Sequence, residues 1–274
     1  MVGERNPMAT VLKWVLRIII TLFCIIPIYA TVIVALTPSA NSLEPQLFPH
    51  YFELKNFVSG FQFILSGLLN SFGYAVIATV IIIVVAVPSA YALAKYQFRG
   101  KSVVMFTLLA TQMMAGIVIL PSLYSLFERL GLTNNPIGTI LIFSGVNLAL
   151  VVWILQGYFA TLPIELEEAA MSDGCTYINM LIKIIFPISG PGIAVGAIFA
   201  FINVYNEFVI PLFMLTDAKQ YPLTLQFYTL LTDTTTRWHT LSAGSLIAII
   251  PPVVLFTFFQ KYIVQGLTTG AVKS

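Results

Sequence analysis

Charged residues are scarce in this sequence of 274 residues, in which aspartate, glutamate, lysine and arginine together account for 9%. Soluble domains contain roughly 25% charged and about 45–50% apolar residues, whereas 58% of this chain is hydrophobic and its mean hydropathy is +0.94. So few polar side chains cannot cover the hydrophobic residues with a water-facing surface. The composition therefore excludes a soluble globular domain and indicates a chain folded in lipid.

Cysteine and histidine are also rare, with two residues of each type. Cys24 lies in an apolar run and Cys175 in a polar segment, and no Cys-x-x-Cys or Cys/His spacing occurs. Neither a disulfide framework nor a zinc site is therefore expected. The glycine-rich Walker A loop that binds nucleotide phosphates is missing, and the formal net charge of +2, with no basic run, gives no indication of a nucleic-acid partner.

Long apolar runs are the main feature that the sequence does have. A bilayer core of about 30 Å requires roughly 20 apolar residues per helix, and no charged residue occurs between Lys55 and Lys95 or between Arg129 and Glu165. We therefore predict an all-α membrane protein with six transmembrane helices. The predicted spans are about 12–36, 67–94, 102–127, 136–160, 185–212 and 242–264.

The placement of lysine and arginine predicts the orientation, because short cytosolic loops are enriched in these residues. Lys95, Arg99 and Lys101 lie in the short turn after the second span, so this turn and both termini are predicted to be cytosolic. The outside segments 38–66 and 213–241 are either solvated connections or a docking surface for an external partner. The predicted organisation is a cytosolic N-terminus 1–11, a six-span domain 12–265 with a cytosolic loop 161–184, and a cytosolic tail 266–274.

One acidic segment, residues 161–174, does not fit inside a membrane. It begins with Thr161 and Pro163, which favour a helix start, has acidic residues next, and ends at Gly174, a typical helix stop. Each charged side chain at a bilayer centre costs about 2.5–3.5 kcal/mol, so this helix is expected outside the lipid. Ala170 and Gly174 share one helix face, which another backbone could approach closely. The helix either enters a cleft of a cytosolic partner or lies on the lipid headgroups.

The residues that follow are predicted to connect this helix to the fifth span. A second short helix is expected to begin near Thr176, and Pro187 is expected to break it before the span. Pro187 and the sequence Gly190-Pro191-Gly192 are interpreted as joints through which a displacement of the acidic helix reaches the fifth span.

The spacing in this region resembles the EAA signature of ABC-importer permeases. Glu168-Ala169-Ala170 is followed after three residues by Gly174 and after nine more by Ile184-Ile185-Phe186-Pro187, with Phe186 in place of the usual leucine. Asn206-Glu207-Phe208 is similar to the Trp-Asn-x-Phe segment of the carbohydrate branch, with Tyr205 where tryptophan is usual. The resemblance covers nearly the whole chain from residue 12 and is greatest to the second membrane subunit of maltose-type importers.

This resemblance implies a short cytosolic coupling helix between spans four and five. The residues expected at the ATPase subunit are Glu167, Glu168, Ala169, Ala170, Met171, Asp173, Gly174 and, as a joint, Pro187. The implied partners are a second permease subunit, two ATP-binding subunits that carry ATP and Mg²⁺, and an extracytoplasmic solute-binding protein. The last of these is expected to contact the outer loop 218–240. This chain itself is expected to bind no cofactor and to lie in the cytoplasmic (inner) membrane of a bacterium or archaeon.

The function that follows is inward translocation of a sugar or sugar-like solute by alternating access, without catalysis. Glu207 is the clearly buried acid of the predicted spans, and intramembrane ionisable residues commonly mark functional sites. Asn203, Tyr205, Asn206 and Glu207 are therefore candidates for the solute pathway, although Glu207 could instead cap the fifth span. An ion-coupled secondary transporter is the alternative, but it requires intramembrane ion sites that a single off-centre acid does not provide. A membrane enzyme lacks support, because the acidic cluster has no neighbouring histidine.

Overall fold

The described part of the chain is mostly helical. The computed structural model describes residues 7–38, 47–48, 50–113, 116–232 and 237–271, and within these ranges it contains no β-strand. The α-helices are α1 Pro7–Leu36, α2 Lys55–Lys95, α3 Lys101–Met113, α4 Gly116–Arg129, α5 Pro136–Phe159, α6 Glu165–Ser172, α7 Tyr177–Met180, α8 Phe186–Ile188, α9 Gly190–Asn206, α10 Val209–Met214, α11 Leu223–Thr232, α12 Trp238–Ala248 and α13 Ile250–Ala271. A π-helical turn, Leu181–Ile185, joins α7 to α8, and a 3₁₀ turn, Ala218–Gln220, precedes α11.

Four helical stretches in the described part of the chain are long and apolar enough to cross a membrane, and the number rises to six if each of two bent helix pairs counts as one span. The four are Leu12–Leu36, Lys55–Lys95, Pro136–Phe159 and Trp238–Tyr262. The bent pairs are α3 with α4, on either side of residues 114–115, and Tyr177–Ile188 with Gly190–Asn206. These stretches correspond in order to the six predicted spans.

The predicted span boundaries differ from the helices at several places. Helix α2 begins at Lys55 rather than near residue 67, and α13 continues to Ala271. The fifth predicted span, 185–212, is interrupted at Ser189 and again at Glu207 and Phe208. Hydropathy averages over such interruptions, since the residues on both sides of each break are apolar.

One unit of the fold comprises residues 1–65 and 227–250. In it, the start of α2 approaches α12 closely, because a Cβ atom at Gly60 would lie 2.8 Å from the Gly244 backbone nitrogen. The Asn56 side-chain amide donates to the carbonyl oxygens of Ala35 and Thr37, both at 2.9 Å. The end of α1 is thereby fixed to the beginning of α2.

The second unit comprises residues 66–226 and 251–274. Its core is formed by α2, α5 and α9, and glycine permits their close packing: a Cβ atom at Gly196 would lie 3.1 Å from Val151 Cγ1. At the end of this core nearest α6, the buried side chains include Tyr91, Phe159, Ala170, Met180 and Ile185. The connection from α5 to α9 is therefore part of the hydrophobic core and is not a loose loop.

Candidate functional site

Helix α6 begins later than the sequence indicated. Its N-cap is Ile164, which makes no side-chain capping hydrogen bond, and the predicted cap, Thr161, instead donates through its hydroxyl to the Tyr158 carbonyl oxygen at 2.7 Å. Thr161 therefore belongs to the end of α5, and the predicted start is wrong by about one helical turn. Glu165, Glu167 and Glu168 lie in the first turn of α6, where the helix dipole favours negative charge.

The end of α6 is the one predicted. Gly174 has φ +78°, a left-handed conformation that costs other L-residues about 1–2 kcal/mol. Its N–H donates to the Met171 carbonyl at 3.0 Å, and the Cys175 N–H donates to the Ala170 carbonyl at 3.1 Å. These two bonds form a Schellman motif, which turns the chain sharply into the next helix.

The exposed face of α6 differs from the predicted one at Ala170. This side chain is only 2% exposed and packs against the protein's own core, so it is not available to a partner as the small-residue pattern suggested. The opposite face is open: Glu168, Ala169 and Asp173 are exposed, and Met171 is 39% exposed. The small size of Ala170 instead lets α6 lie close to the core.

Glu167 faces inward and binds Lys95, the last residue of α2. The Lys95 Nζ–Glu167 Oε1 distance is 3.0 Å, and Lys95 Nζ also donates to the Leu162 carbonyl oxygen at 2.7 Å. Partial burial raises the pKa of the nearby Tyr96 phenol, and Tyr177 and Glu167 add to that shift. Sequence reasoning used Lys95 only as an indicator of orientation and missed this contact, which joins residues distant along the chain.

The segment between α6 and α9 forms a bent helical connection. Thr176 caps α7, as predicted, by accepting a hydrogen bond from the Asn179 N–H at 3.4 Å. Pro187 does not break the helix, which continues through the π turn to Ile188 and bends by 77° at Ser189. The wider π turn accommodates a proline that has no N–H to donate. The Ser189 hydroxyl is buried at this bend without a hydrogen-bond partner among the described residues.

Beyond the bend, α9 lies directly against α5. A Cβ atom at Gly192 would come within 2.5 Å of Tyr158 Cγ. The predicted Gly-Pro-Gly joint is therefore also a contact that only glycine permits at this position.

Glu207 caps α10 and also borders a cavity. Its Oε1 accepts hydrogen bonds from the backbone N–H groups of Val209, at 2.9 Å, and Ile210, at 3.3 Å. The cavity has a volume of about 610 Å³ and is lined mainly by apolar side chains of α3, α4, α5 and α10, with Thr111 and Glu207 as its polar side chains. The carboxylate thus caps a helix inside the predicted fifth span, 185–212, whereas the alternative drawn from the sequence was a cap of that span, and it also borders this cavity.

The other three candidates for the solute pathway do not line this cavity. Tyr205 is 3% exposed, and its ring stacks on Phe201 with 5.7 Å between ring centroids. Asn206 is exposed, and its amide donates to the Ile202 carbonyl of its own helix at 2.9 Å. Asn203 is exposed on α9. The helical period separates these residues onto different faces although they are adjacent in sequence.

Polar side chains of α2 hold the segment before α11 in place. The Asn70 amide donates to the carbonyls of Lys219, at 2.8 Å, and Tyr221, at 3.0 Å. The Tyr74 hydroxyl donates to the Gln220 carbonyl at 2.9 Å, and Ser71 Oγ accepts from the Leu223 N–H at 2.8 Å. This hydrogen bonding gives the adjacent polar residues Asn70 and Ser71 a structural role.

Asn134 fixes the other side of the same segment. Its backbone has φ +50°, which asparagine tolerates better than most residues. Its Oδ1 accepts from the N–H groups of Thr216 and Asp217, both at 3.0 Å. The first part of the predicted outer loop 218–240 is thus rigidly attached, whereas residues 233–236 of that loop lie outside the described residues.

No group of three or more His, Cys, Asp or Glu side chains in the described part of the chain is arranged to hold a metal ion. Two other regions of the structure are candidate functional sites. One is the exposed face of α6, connected to the core through Ala170, Glu167 and Lys95. The other is the cavity beside Glu207.

Known proteins resemble this chain over most of its length. Residues 83–269 match the family model described as binding-protein-dependent transport system inner membrane component. The chain is 32% identical to the arabinooligosaccharides transport system permease protein AraQ of Halalkalibacterium halodurans, over 98% of this chain and 99% of that protein. It is 31% identical to the trehalose/maltose transport system permease protein MalG of Thermococcus litoralis, over 96% of this chain and 98% of that protein.

The fold also matches a solved structure. One chain from the crystal structure of a bacterial ABC transporter, involved in the import of the acidic polysaccharide alginate, superposes with a TM-score of 0.80 at 22% identity, over 96% of this chain and 99% of that one.

Proposed function

The chain belongs to the family of binding-protein-dependent transport system inner membrane components and is a permease subunit of an ABC importer, not an enzyme; from this premise we propose how it spans the membrane, which solute it carries and how it is driven. Six spans follow if each bent pair crosses once. Both termini are then cytosolic, with domain limits 1–11, 12–265 and 266–274. Lys95, Arg99 and Lys101 support this orientation.

Helix α6 acts as the coupling helix. The observation that carries this proposal is the location of α6: Glu167 is bonded to Lys95, at the end of α2 next to the basic turn, so α6 lies on the cytosolic side if that turn does. Its exposed face presents Glu168, Ala169, Met171 and Asp173 to an ATP-binding subunit. Because ATP and Mg²⁺ reside on two such subunits, the movement of their clefts must enter this chain through α6.

Cross-linking tests the proposed contact. In a variant with Cys24 and Cys175 replaced by alanine, Met171→Cys is expected to cross-link efficiently to the ATPase subunit of the purified complex. Arg99→Cys, also exposed in the basic turn, is the matched control and is expected to cross-link weakly. No cross-link at Met171, or equal yields at both positions, would contradict the role of α6.

The solute is proposed to be a sugar or a sugar-like compound, moved inward by alternating access. The names of the relatives, which refer to arabinooligosaccharides and to trehalose and maltose, support this class. In the structure, the carboxylate of Glu207 beside the 610 Å³ cavity is a hydrogen-bond acceptor suited to solute hydroxyl groups. A second permease subunit would face this cavity, and a solute-binding protein would deliver the solute from outside.

Uptake into proteoliposomes tests this proposal. We expect labelled arabinooligosaccharide, trehalose or maltose to accumulate with internal ATP and the matching binding protein. Accumulation should stop when ATP is omitted and continue in the presence of an uncoupler. Uptake that the uncoupler abolishes would instead support the ion-coupled alternative, and failure of all three sugars would refute the proposed solute class.

A further inference from the structure

We propose that Lys95 and Glu167 form a mechanical strut through which α2 moves with the coupling helix and carries that movement to the outer side of the permease. Lys95 is then a positioning residue for transport, acting through α6 and touching neither solute nor ATP. This inference rests on the proposed role of α6 and adds a second route to the one through the bend at Ser189.

Lys95 is attached to the α6 region at two points. Its ammonium group lies 3.0 Å from Glu167 Oε1, on α6, and donates to the carbonyl of Leu162, in the preceding turn, at 2.7 Å. The side chains of Lys95 and Glu167 are only 11% and 17% exposed, so water and salt screen this pair less than a surface ion pair. The ammonium group is thus held by one ion pair, to Glu167, and by one hydrogen bond, to the Leu162 carbonyl, and both must break before α2 separates from the α6 region.

The surrounding packing makes the attachment stiff. Tyr91, one turn before Lys95, contacts Phe159 of α5 edge-on with 5.8 Å between ring centroids. Ala170 and Met180 belong to the same buried cluster as Tyr91. The part of α2 that contains Pro88 is also held there, since its neighbours Val87 and Ala90 are buried in this cluster, which limits bending at the proline.

Helix α2 connects this attachment to the other end of the same unit. Between Asn70 and Lys95 the helix extends roughly 37 Å, at about 1.5 Å per residue, which exceeds the hydrocarbon core of about 30 Å. At the Asn70 end, three α2 side chains hold residues 219–223 through hydrogen bonds of 2.8–3.0 Å. One continuous helix therefore binds α6 at one end and the segment before α11 at the other.

The route along the chain is less direct, although it is packed in the same hydrophobic core. From α6 it passes through the turn at Gly174, the π turn Leu181–Ile185 and the 77° bend at Ser189 before it reaches α9. Each of these turns changes the direction of the chain between α6 and α9. A displacement of α6 is thus transmitted more directly through Lys95 to α2 than through the backbone to α9.

The experiment measures the accessibility of the segment before α11 while nucleotide binding acts on the ATPase subunits. It requires no known solute. The assembled complex carries Lys219→Cys as a reporter, with Cys24 and Cys175 replaced by alanine, since Lys219 is exposed and its carbonyl is bound by Asn70. The labelling rate by a membrane-impermeant maleimide is compared with and without trapping by ATP and vanadate. We expect trapping to change this rate at least threefold when the strut is intact.

Lys95→Met is expected to reduce that change to less than 1.5-fold. Lys95→Arg should preserve it, and the exchange Lys95→Glu with Glu167→Lys should recover at least half of it. Lys101→Met and Glu165→Gln are matched controls that leave the change intact. Within the described ranges the hydrogen bond of Lys101 Nζ goes to the nearby Tyr96 carbonyl at 3.2 Å, and Glu165 is exposed.

Cross-linking from Met171→Cys to the ATPase subunit is measured in the same samples. Retained cross-linking with a lost labelling response in Lys95→Met supports the strut. A full labelling response in Lys95→Met would overturn it, and so would the absence of a response in the chain with Lys95 intact. Loss of both cross-linking and the response in Lys95→Met would also overturn it, because Lys95 would then only maintain the shape of α6. Absence of the cross-link in the chain with Lys95 intact would instead refute the coupling role of α6 itself.

Discussion

Substitution of Gly174 by asparagine separates the internal role of this residue from its contact with a partner. Gly174 has φ +78°, and a Cβ atom there would meet no other atom of the chain within 4 Å. A side chain at this position therefore causes no steric clash within the described structure, and its cost is confined to backbone strain. That strain is about 1–2 kcal/mol for an ordinary L-residue, and it is smaller for asparagine, which often adopts this conformation.

The size of the strain penalty distinguishes an effect of strain from an effect of contact with the ATPase subunit. If strain alone mattered, about 1–2 kcal/mol would shift the equilibrium between the formed and the opened turn at Gly174 by about 5- to 30-fold for alanine and by less for asparagine, so alanine would be the more harmful substitution. If the ATPase cleft closes around Gly174, the larger asparagine should be the more harmful of the two. We therefore expect Gly174→Asn to lower the affinity for the ATPase subunit at least tenfold, and by more than Gly174→Ala, while its melting temperature in detergent stays near that of the unaltered chain.

The assay is titration of the immobilised permease with the ATPase subunit, with Gly131→Asn as the matched control. Gly131 has φ +68° and equally open surroundings, but it lies between α4 and α5, in a segment assigned to the outer side. Gly131→Asn should leave the affinity unchanged. Native affinity in Gly174→Asn, or a larger loss in Gly174→Ala, would refute the argument that a partner approaches this glycine closely.

Three further predictions concern folding and the cavity. Gly192→Leu should prevent accumulation of folded protein in a fluorescence size-exclusion assay, because its Cβ would collide with the Tyr158 ring, whereas Gly190→Ala, with no atom within 4 Å, should fold normally. Asn134→Ala should accelerate amide hydrogen exchange at Thr216 and Asp217, whose N–H groups lose their acceptor; unchanged exchange would refute its anchoring role. Glu207→Ala should lower the free energy of unfolding by about 0.5–2 kcal/mol through loss of the α10 cap. Glu207→Gln keeps an acceptor oxygen and should retain stability but reduce solute uptake. Equal melting temperatures for the unaltered chain and both variants would contradict the cap.

Much of the fold was predictable because hydrophobic length and charge placement are local properties. The apolar stretches of α1, α2 and α5 could be located from the sequence, and so could the helix stop at Gly174 and the helix start at Thr176. The fifth span was predicted over 185–212 with joints at Pro187 and Gly190-Pro191-Gly192. The chain bends between these joints, at Ser189, and it also breaks at Glu207, where no break was predicted. Apolar residues on both sides of each break hide it from any measure based on hydropathy.

The candidate site was predictable in position but not in orientation. The EAA pattern predicted a helix at α6, and the structure has one there, but Ala170 faces the core and Glu167 faces Lys95. Among the residues proposed for the solute pathway, Tyr205 is buried and only Glu207 lines the cavity. Which side of a short helix is covered depends on neighbours distant in sequence, and a single sequence contains no record of those neighbours.

The sequence by itself determined that the chain lies in a membrane, because 9% charged residues cannot solvate a protein in which 58% are hydrophobic. It also predicted that one acidic helix lies outside the lipid, because the transfer cost of its carboxylates is large. Only the tertiary structure decided that Lys95 binds Glu167, that Asn70 and Asn134 hold the segment before α11, and that Glu207 borders a cavity. Each of these contacts joins residues far apart along the chain, and such contacts exist only once the helices have packed.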